Sequence, residues 1–446
     1  MDLIHARAAI DAALAALTTA KASLTDELAG VVVVRAGENL QAALDQQGTI
    51  VLDAGAVFPG TYAVPSNTVL VGGEGSAIRG VRGPALTILP GSQRVTIEHV
   101  ELSSSGSEVL TIGANDDRQT RSEDAPSGVT LLHVRIPTHR GKRGIANHGA
   151  FVELRKCEVL DCWDPQGQDS QAVYTGNAPG PLLITGGRYS AGSEGLLFGG
   201  DVTAIPNLTP SNIVVEGIEL FRPASWQTDG VARKVKNLFE LKNATNVTLR
   251  NSVLHGCWAQ GQAGEALMLT PDLDGDLKAP PLRSGEVTNV LVEDVTITDC
   301  ASVVNLAGRA YRSYTVNPLT GIVFRRVIAT VSRARFGGRG QLAILAGEPG
   351  DVRFEDCEFT GDGTSTIYYQ SGNVIDPGTR TLRLAGKLGR LSVTNSRLTV
   401  GPYGFMFNGV ANAGQWPAAV GVLEVTGNTF TGSKAMQKTL PGNTYT

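Results

Sequence analysis

Hydrophobic residues along this chain recur in pairs two positions apart, inside short runs that end in polar turns. Val95 and Ile97 form one such pair, followed by Val129 and Leu131, Val152 and Leu154, Ile213 and Val215, Val247 and Leu249, Val290 and Val292, Ile322 and Phe324, and Val352 and Phe354. Alternation over so short a span predicts strands with one buried face. The runs are copies of one another. "FVELRKCEVLDCW" at 151–163 returns as "NVTLRNSVLHGCW" at 246–258 and as "NVLVEDVTITDC" at 289–300, with later versions at 390–398 ("RLSVTNSRL") and 422–430 ("VLEVTGNTF"). Copies spaced roughly 20 to 45 residues apart, separated by Gly, Asn and Asp turns, predict a solenoid. Helical repeats are excluded because no copy sustains a 3.6-residue period.

The polar positions make the prediction more specific. The residue after the second apolar position reads Glu216, Arg250, Glu293, Arg325 and Glu355 in successive copies. Parallel strands in stacked coils would bring these within about 4.8 Å of one another, where alternating signs attract and like signs repel. The next position holds Asn251, Asp294, Asp356 and Asn395, residue types that satisfy backbone groups in tight turns. An all-β fold, a parallel β-helix, accounts for both series.

The stretch "AGENLQAALDQQGTIVLDAGAVFPGTYAVPSNTVLVGGEGSAIRG" at 36–80 resembles the first coils of pectate-lyase-like right-handed parallel β-helices. "VKNLFELKNATNVTLRNSVLHGCWAQGQAGEALMLTP" at 235–271 is similar to bacterial and phage β-helix proteins. The resemblance implies a right-handed solenoid over 31–446 and a short capping helix near Asn39–Gln46.

Residues 1–30 differ. Leu3, Ile10, Leu17 and Leu24 recur every seven positions, with Ala6, Ala13 and Ala20 between them and Gly30 as a stop, which predicts an N-terminal α-helix. Such a seam serves oligomerisation or attachment. Joined to a β-helix body it resembles phage tailspikes and other virion proteins, for which a homotrimer is the implied state, its flanks meeting through outward aromatics such as Tyr311 and Tyr314.

A formal net charge of −4 offers no reason to expect nucleic acid or an anionic membrane surface as partner, and no apolar run approaches the roughly 20 residues of a membrane span. Asp2 and Asp11 interrupt what a signal peptide would keep basic or apolar. Five cysteines lack both the even count of a disulfide framework and the spacing of a zinc site. Cys162, Cys257 and Cys300 share one repeat position and Cys157 and Cys357 another, so all five are expected to be buried thiols.

Candidate chemistry is sparse. The Asp-rich, Gly-His-Gly and Arg-Ile-Lys motifs of polygalacturonases are missing, and the Glu/Arg series leaves few carboxylates for a lyase-type calcium site. No cofactor is expected. Asp272, Asp274 and Asp276 have the spacing of a calcium-loop opening without its downstream glutamate. A glycosidase needs paired carboxyl groups, and the fold can supply them from neighbouring coils. The candidates are Asp161, Asp164, Glu240 and Glu265. Trp163, Trp258, His255 and Lys242 stand beside them as candidate saccharide contacts, tryptophan because sugar C–H faces pack on its ring. The two tryptophans also occupy equivalent turns, which favours closing a repeat as their use over a ligand groove.

Three functions follow. The first is a phage-type virion protein, tailspike-like or decorating, that contacts surface polysaccharide or neighbouring virion proteins. The second is a polysaccharide lyase or glycoside hydrolase of the pectate-lyase-like fold, and the third a purely structural solenoid. The corresponding locations are the virion or, for the alternatives, an extracellular or cytoplasmic bacterial setting.

Overall fold

The computed structural model describes residues 30–274, 285–308, 318–370, 373–375, 382–384, 387–407, 419–432 and 441–446. The heptads at 1–29, Tyr311, Tyr314 and Asp276 lie outside the described residues.

The chain is a right-handed parallel β-helix. Each coil contributes one strand to each of three parallel sheets, termed A, B and C, with fourteen, fourteen and twelve described strands. One coil runs Gln93–Glu98 in sheet A, Glu101–Ser104 in sheet B and Glu108–Ile112 in sheet C, and then re-enters sheet A at Ser127–Leu132. The predicted register holds: Val95, Val129 and Val152 stack in sequence, as do Ile213, Val247, Val290, Ile322 and Val352. Between the two groups lies a coil that the repeat pattern overlooked, Leu182–Thr185, whose Leu182 joins Val152 to Ile213. All these side chains are buried in one continuous core. The first coil is closed by a helix, Leu40–Leu44, capped by Asn39 Oδ1, which accepts from the Ala42 amide at 3.1 Å. Its Leu40, Ala43 and Leu44 face the core, so a five-residue helix too short to persist alone is held by packing.

The corner from sheet A to sheet B is a single left-handed residue. Asn251, Asp294, Asp356 and Asn395 have φ of 51–54°, where Asn and Asp are tolerated because their side chains bond locally. His99, His133 and Lys156 take the same conformation in earlier coils, and Gly186 and Gly217 do so without strain. A second left-handed position opens the sheet A strands: the Asn of each "NV" start, at 212, 246 and 289. Asn289 donates to Asn246 at 3.2 Å and Asn246 to Asn212 at 3.3 Å, forming an asparagine ladder up the wall.

The Glu/Arg series stacks rung on rung on sheet A. Glu216, Arg250, Glu293, Arg325 and Glu355 are successive register partners. Ion pairs join Arg250 to Glu216 at 2.8 Å and Arg325 to Glu293 and Glu355 at 3.4 and 3.0 Å, whereas Arg250 and Glu293 form none. A second alternating series, not anticipated from the sequence, occupies sheet B: Glu101, Arg135, Glu158, Arg188 and Glu219. Arg135 pairs with Glu101 at 2.8 Å and Glu158 at 3.3 Å, and Arg188 with Glu219 at 2.5 Å.

All five cysteines are buried and free. Burial pushes every thiol pKa upward, to about 11 for Cys257 and Cys357. A satellite cluster of Trp226, Val235, Trp258, Ala301 and Phe336 lies apart from the solenoid core.

Candidate functional site

Sheet C differs from the other two in what its outer wall carries. The long connections of the solenoid flank this sheet, including 113–126, 163–170, 199–210 and 222–236. Its outward polar side chains are therefore covered rather than solvated. Gln171, Glu194, Asn237, Glu240 and Glu265 are all nearly inaccessible.

Glu194 opens the strand Glu194–Phe198, and Glu240 lies on the next strand, Asn237–Leu241. The Glu194 carboxylate accepts from Gln171 Nε2 at 2.8 Å and pairs with Lys236 Nζ at 3.1 Å. Lys236 also pairs with Asp169, whose other oxygen meets Lys234 Nζ at 2.8 Å, so the network runs outward to half-exposed groups. Glu240 has less support. Its nearest cation, Lys242, is 3.9 Å away, and its Oε2 is buried without a hydrogen-bond partner. Its register neighbours are Leu197 and Met268, not arginines. Burial, and then the charge of Glu194, push the Glu240 carboxyl up to about 7, while Lys242 and Lys236 oppose the rise. One protonated and one ion-paired carboxyl on adjacent coils can provide a proton donor beside an anion.

The structure brings three of the sequence candidates to this wall, Glu240, Lys242 and Glu265, the last at the head of the next strand, Glu265–Leu269, where desolvation raises its pKa. The others lie elsewhere. Asp161 lies on the sheet B strand Glu158–Cys162 and pairs with Arg140 at 2.7 Å. Asp164 accepts the Gln166 amide at 2.7 Å and so organises its own loop. Trp163, at the rim, has two guanidinium groups over its ring, Arg140 at 4.5 Å and Arg233 at 5.2 Å, and Arg233 also lies 4.2 Å over Trp226. Trp258 is packed into the satellite cluster. His255 is on sheet B, 2.8 Å from Glu219 and stacked on Phe221. Asp272 is buried next to the short parallel pair of Gly200–Asp201 and Leu273–Asp274.

Sequence reasoning missed Glu194, Gln171 and Lys236, and noted Asp169 only as a neighbour of Asp161, Asp164 and Trp163. A signal for the first existed: "SEGLLF" and "GEALML" both place a glutamate at the head of a sheet C strand.

No family model matches the chain, and no curated protein does so either. Among solved structures, the chain is similar to a mutant tailspike protein of E. coli bacteriophage HK620 in complex with pentasaccharide. The TM-score is 0.52 at 12% identity, over 94% of this chain and 79% of that one. It is also similar to PfbA, a surface adhesin of Streptococcus pneumoniae, with a TM-score of 0.50 at 10% identity over 89% of this chain and 93% of that one. Identities this low show the shared fold.

Proposed function

We propose that this chain is a polysaccharide-engaging β-helix exposed on a virion or cell surface, with saccharide docking along the outer wall of sheet C. In this reading Glu240 supplies a proton to the glycosidic oxygen and Glu194 is the ionised partner. The observation that carries it is the Glu240–Glu194 pair. Along the Glu/Arg ladders of sheets A and B, and at Glu108 and Arg143 on sheet C, carboxylates face arginines one rung away, an arrangement that serves stability. On sheet C a carboxyl is buried among apolar rungs beside a second carboxylate, an arrangement that costs stability and tunes protonation. The tailspike with its pentasaccharide and the adhesin agree in kind with the surface role. Oligomerisation through the heptads of 1–30, with a homotrimer as the proposed state, fits the same setting.

A second reading, that saccharide is held and not cut, is favoured by the burial itself, since both carboxyl groups are almost wholly covered.

The test is a polysaccharide panel incubated with wild-type protein, Glu240→Gln and Glu194→Gln. New reducing ends that disappear in both variants support hydrolysis, and retained binding without cleavage in the wild type supports the second reading. Neither binding nor cleavage of any glycan, together with absence of the protein from purified particles and cell surfaces, would remove the proposal.

A further inference from the structure

The sheet B ladder has one break. Glu158 and Arg188 are register partners, yet no ion pair joins them. A cavity of about 470 Å³ opens at that rung, lined by His133, Arg135, Lys156, Glu158, Gly187 and Arg188. Its size falls within the range of small-ligand sites, roughly 300 to 1,000 Å³. It lies at the corner between sheets A and B and is separate from the sheet C wall.

The corner residues explain why a notch forms here. The left-handed position is filled by His99, His133 and Lys156 in three successive coils and then by Gly186 and Gly217. Where the glycines begin, the ridge of side chains stops and the rung below is uncovered. His133 stacks on His99 with ring centroids 4.8 Å apart, which fixes one wall. Arg135 and Arg188 are held by their ladder partners Glu101 and Glu219. Lys156, by contrast, has a cationic side chain with no carboxylate partner among the described residues. The notch therefore presents one unpaired ammonium, fixed guanidinium groups and a single carboxylate, Glu158, which meets Arg135 at 3.3 Å through one oxygen and can accept from hydroxyls through the other.

We infer that this notch binds a carboxylate-bearing sugar residue, its carboxylate directed to Lys156 and Arg188 and its hydroxyls to Glu158. An ordinary neutral sugar would leave Lys156 unmatched, and a small inorganic anion would leave Glu158 facing like charge. The site is a second point of contact for an acidic glycan, on a different face from the sheet C wall, and it does not require the reading given to Glu240.

Two variants test it without disturbing the fold, because each places at the left-handed corner the residue that other coils already use there. Lys156→Asn removes the free charge, and Gly186→Asn sets a side chain against Lys156, 3.3 Å from its Cγ, and so displaces the ammonium from the notch. The probe is an oligosaccharide of uronic acid residues, measured by calorimetry beside a neutral oligosaccharide of equal length and a sulfated one. The wild type should bind the uronate in a salt-sensitive manner and the neutral sugar at least about tenfold more weakly. Each corner variant should lose about tenfold in uronate affinity at an unchanged melting temperature, and Glu240→Gln should bind like the wild type. Equal affinity for the neutral or sulfated sugar, equal uronate binding in Lys156→Asn, or loss of binding in Glu240→Gln would each overturn the inference. So would no binding of the uronate at all.

Discussion

Arg222 is a fully buried guanidinium without a carboxylate partner among the described residues, and replacing it with methionine tests how the wall of sheet C is held. Its Nε donates to the carbonyls of Ala191 at 2.8 Å and Gly192 at 3.1 Å. One terminal nitrogen serves Ser193 and, at 2.8 Å, Asn237, and the other reaches Gly256 at 3.5 Å. These carbonyls belong to three coils, so one side chain ties together the turn that precedes Glu194, the strand that carries Glu240, and the sheet B strand below them. Methionine keeps much of the apolar volume and removes every donor. Of the carbonyls, Ser193 retains the Lys236 amide at 3.3 Å, and the Gly256 contact is too long to count for much. Three strong bonds remain, each worth about 1–3 kcal/mol when a buried acceptor is left unmet. Part of that loss is offset because a charge no longer has to be desolvated, which gives a net cost of about 3–5 kcal/mol. Urea unfolding of Arg222→Met should show that loss, and amide hydrogen exchange should rise around 191–194, 237 and 256 while the coils before residue 112 stay protected. A cost below about 1 kcal/mol, with exchange unchanged, would refute the view that this arginine is the clamp.

On the sheet A ladder, Arg325→Glu should destabilise more than Arg250→Glu, because Arg325 pairs with two glutamates and Arg250 with one; at about 0–1 kcal/mol per exposed pair, thermal melts should separate them by roughly that amount. An equal shift in the two variants would contradict the ladder as drawn. The five thiols should react slowly with a thiol reagent in the native protein and quickly once it is unfolded, and rapid native labelling of Cys162, Cys257 or Cys300 would overturn their core placement. Glu240 carries a pH signature. Its folded-state pKa, about 7, lies above the ordinary 4.5, so the folded state holds this proton more tightly than the unfolded state. Its contribution to stability is present below pH 4.5 and is lost as pH rises through about 7. Stability measured from pH 4.5 to 8 should fall less steeply in Glu240→Gln than in the wild type, and identical slopes would mean that Glu240 is ionised throughout.

The architecture was legible because the sheet A strands combine a fixed two-residue alternation with a short polar corner after it. The sheet B ladder has equally regular chemistry, yet it stayed hidden for a specific reason. The coil Leu182–Thr185 follows Pro181 and turns its corner on Gly186–Gly187 in place of a polar residue, so it escaped the alignment. Without that coil Arg188 has no place, and the alternation from Glu158 to Glu219 cannot be seen. Sheet C was harder still. Loops of variable length separate its strands from those of sheets A and B, so no constant offset relates Glu194 or Glu240 to the motif. Lys236 and Asp169 are loop residues, whose meeting with Glu194 is set by the path of two connections and not by any periodicity. Three candidates at this wall, Glu240, Lys242 and Glu265, were reached through neighbouring motifs; Glu194 and Lys236, which define its electrostatics, were not.

A parallel solenoid repeats any outward charge about every 4.8 Å along its axis, so each wall must solve the same problem of repulsion. Sheets A and B solve it by alternation, with arginine and glutamate on successive rungs. Sheet C uses the same device at Glu108 and Arg143, register partners joined at 3.2 Å, and two others further along. Lys236 reaches across from a loop to serve Glu194 and Asp169 together, and Glu240 is left with Leu197 and Met268 as rung neighbours. An arginine at either of those positions would neutralise Glu240 as it does the glutamates of the other walls, and the carboxyl would lose its proton well below neutrality. Leucine and methionine instead leave the proton as the means of neutralisation. That substitution of a held proton for a fixed cation, on the wall flanked by the long loops, is what sets Glu240 apart from the glutamates of the two ladders.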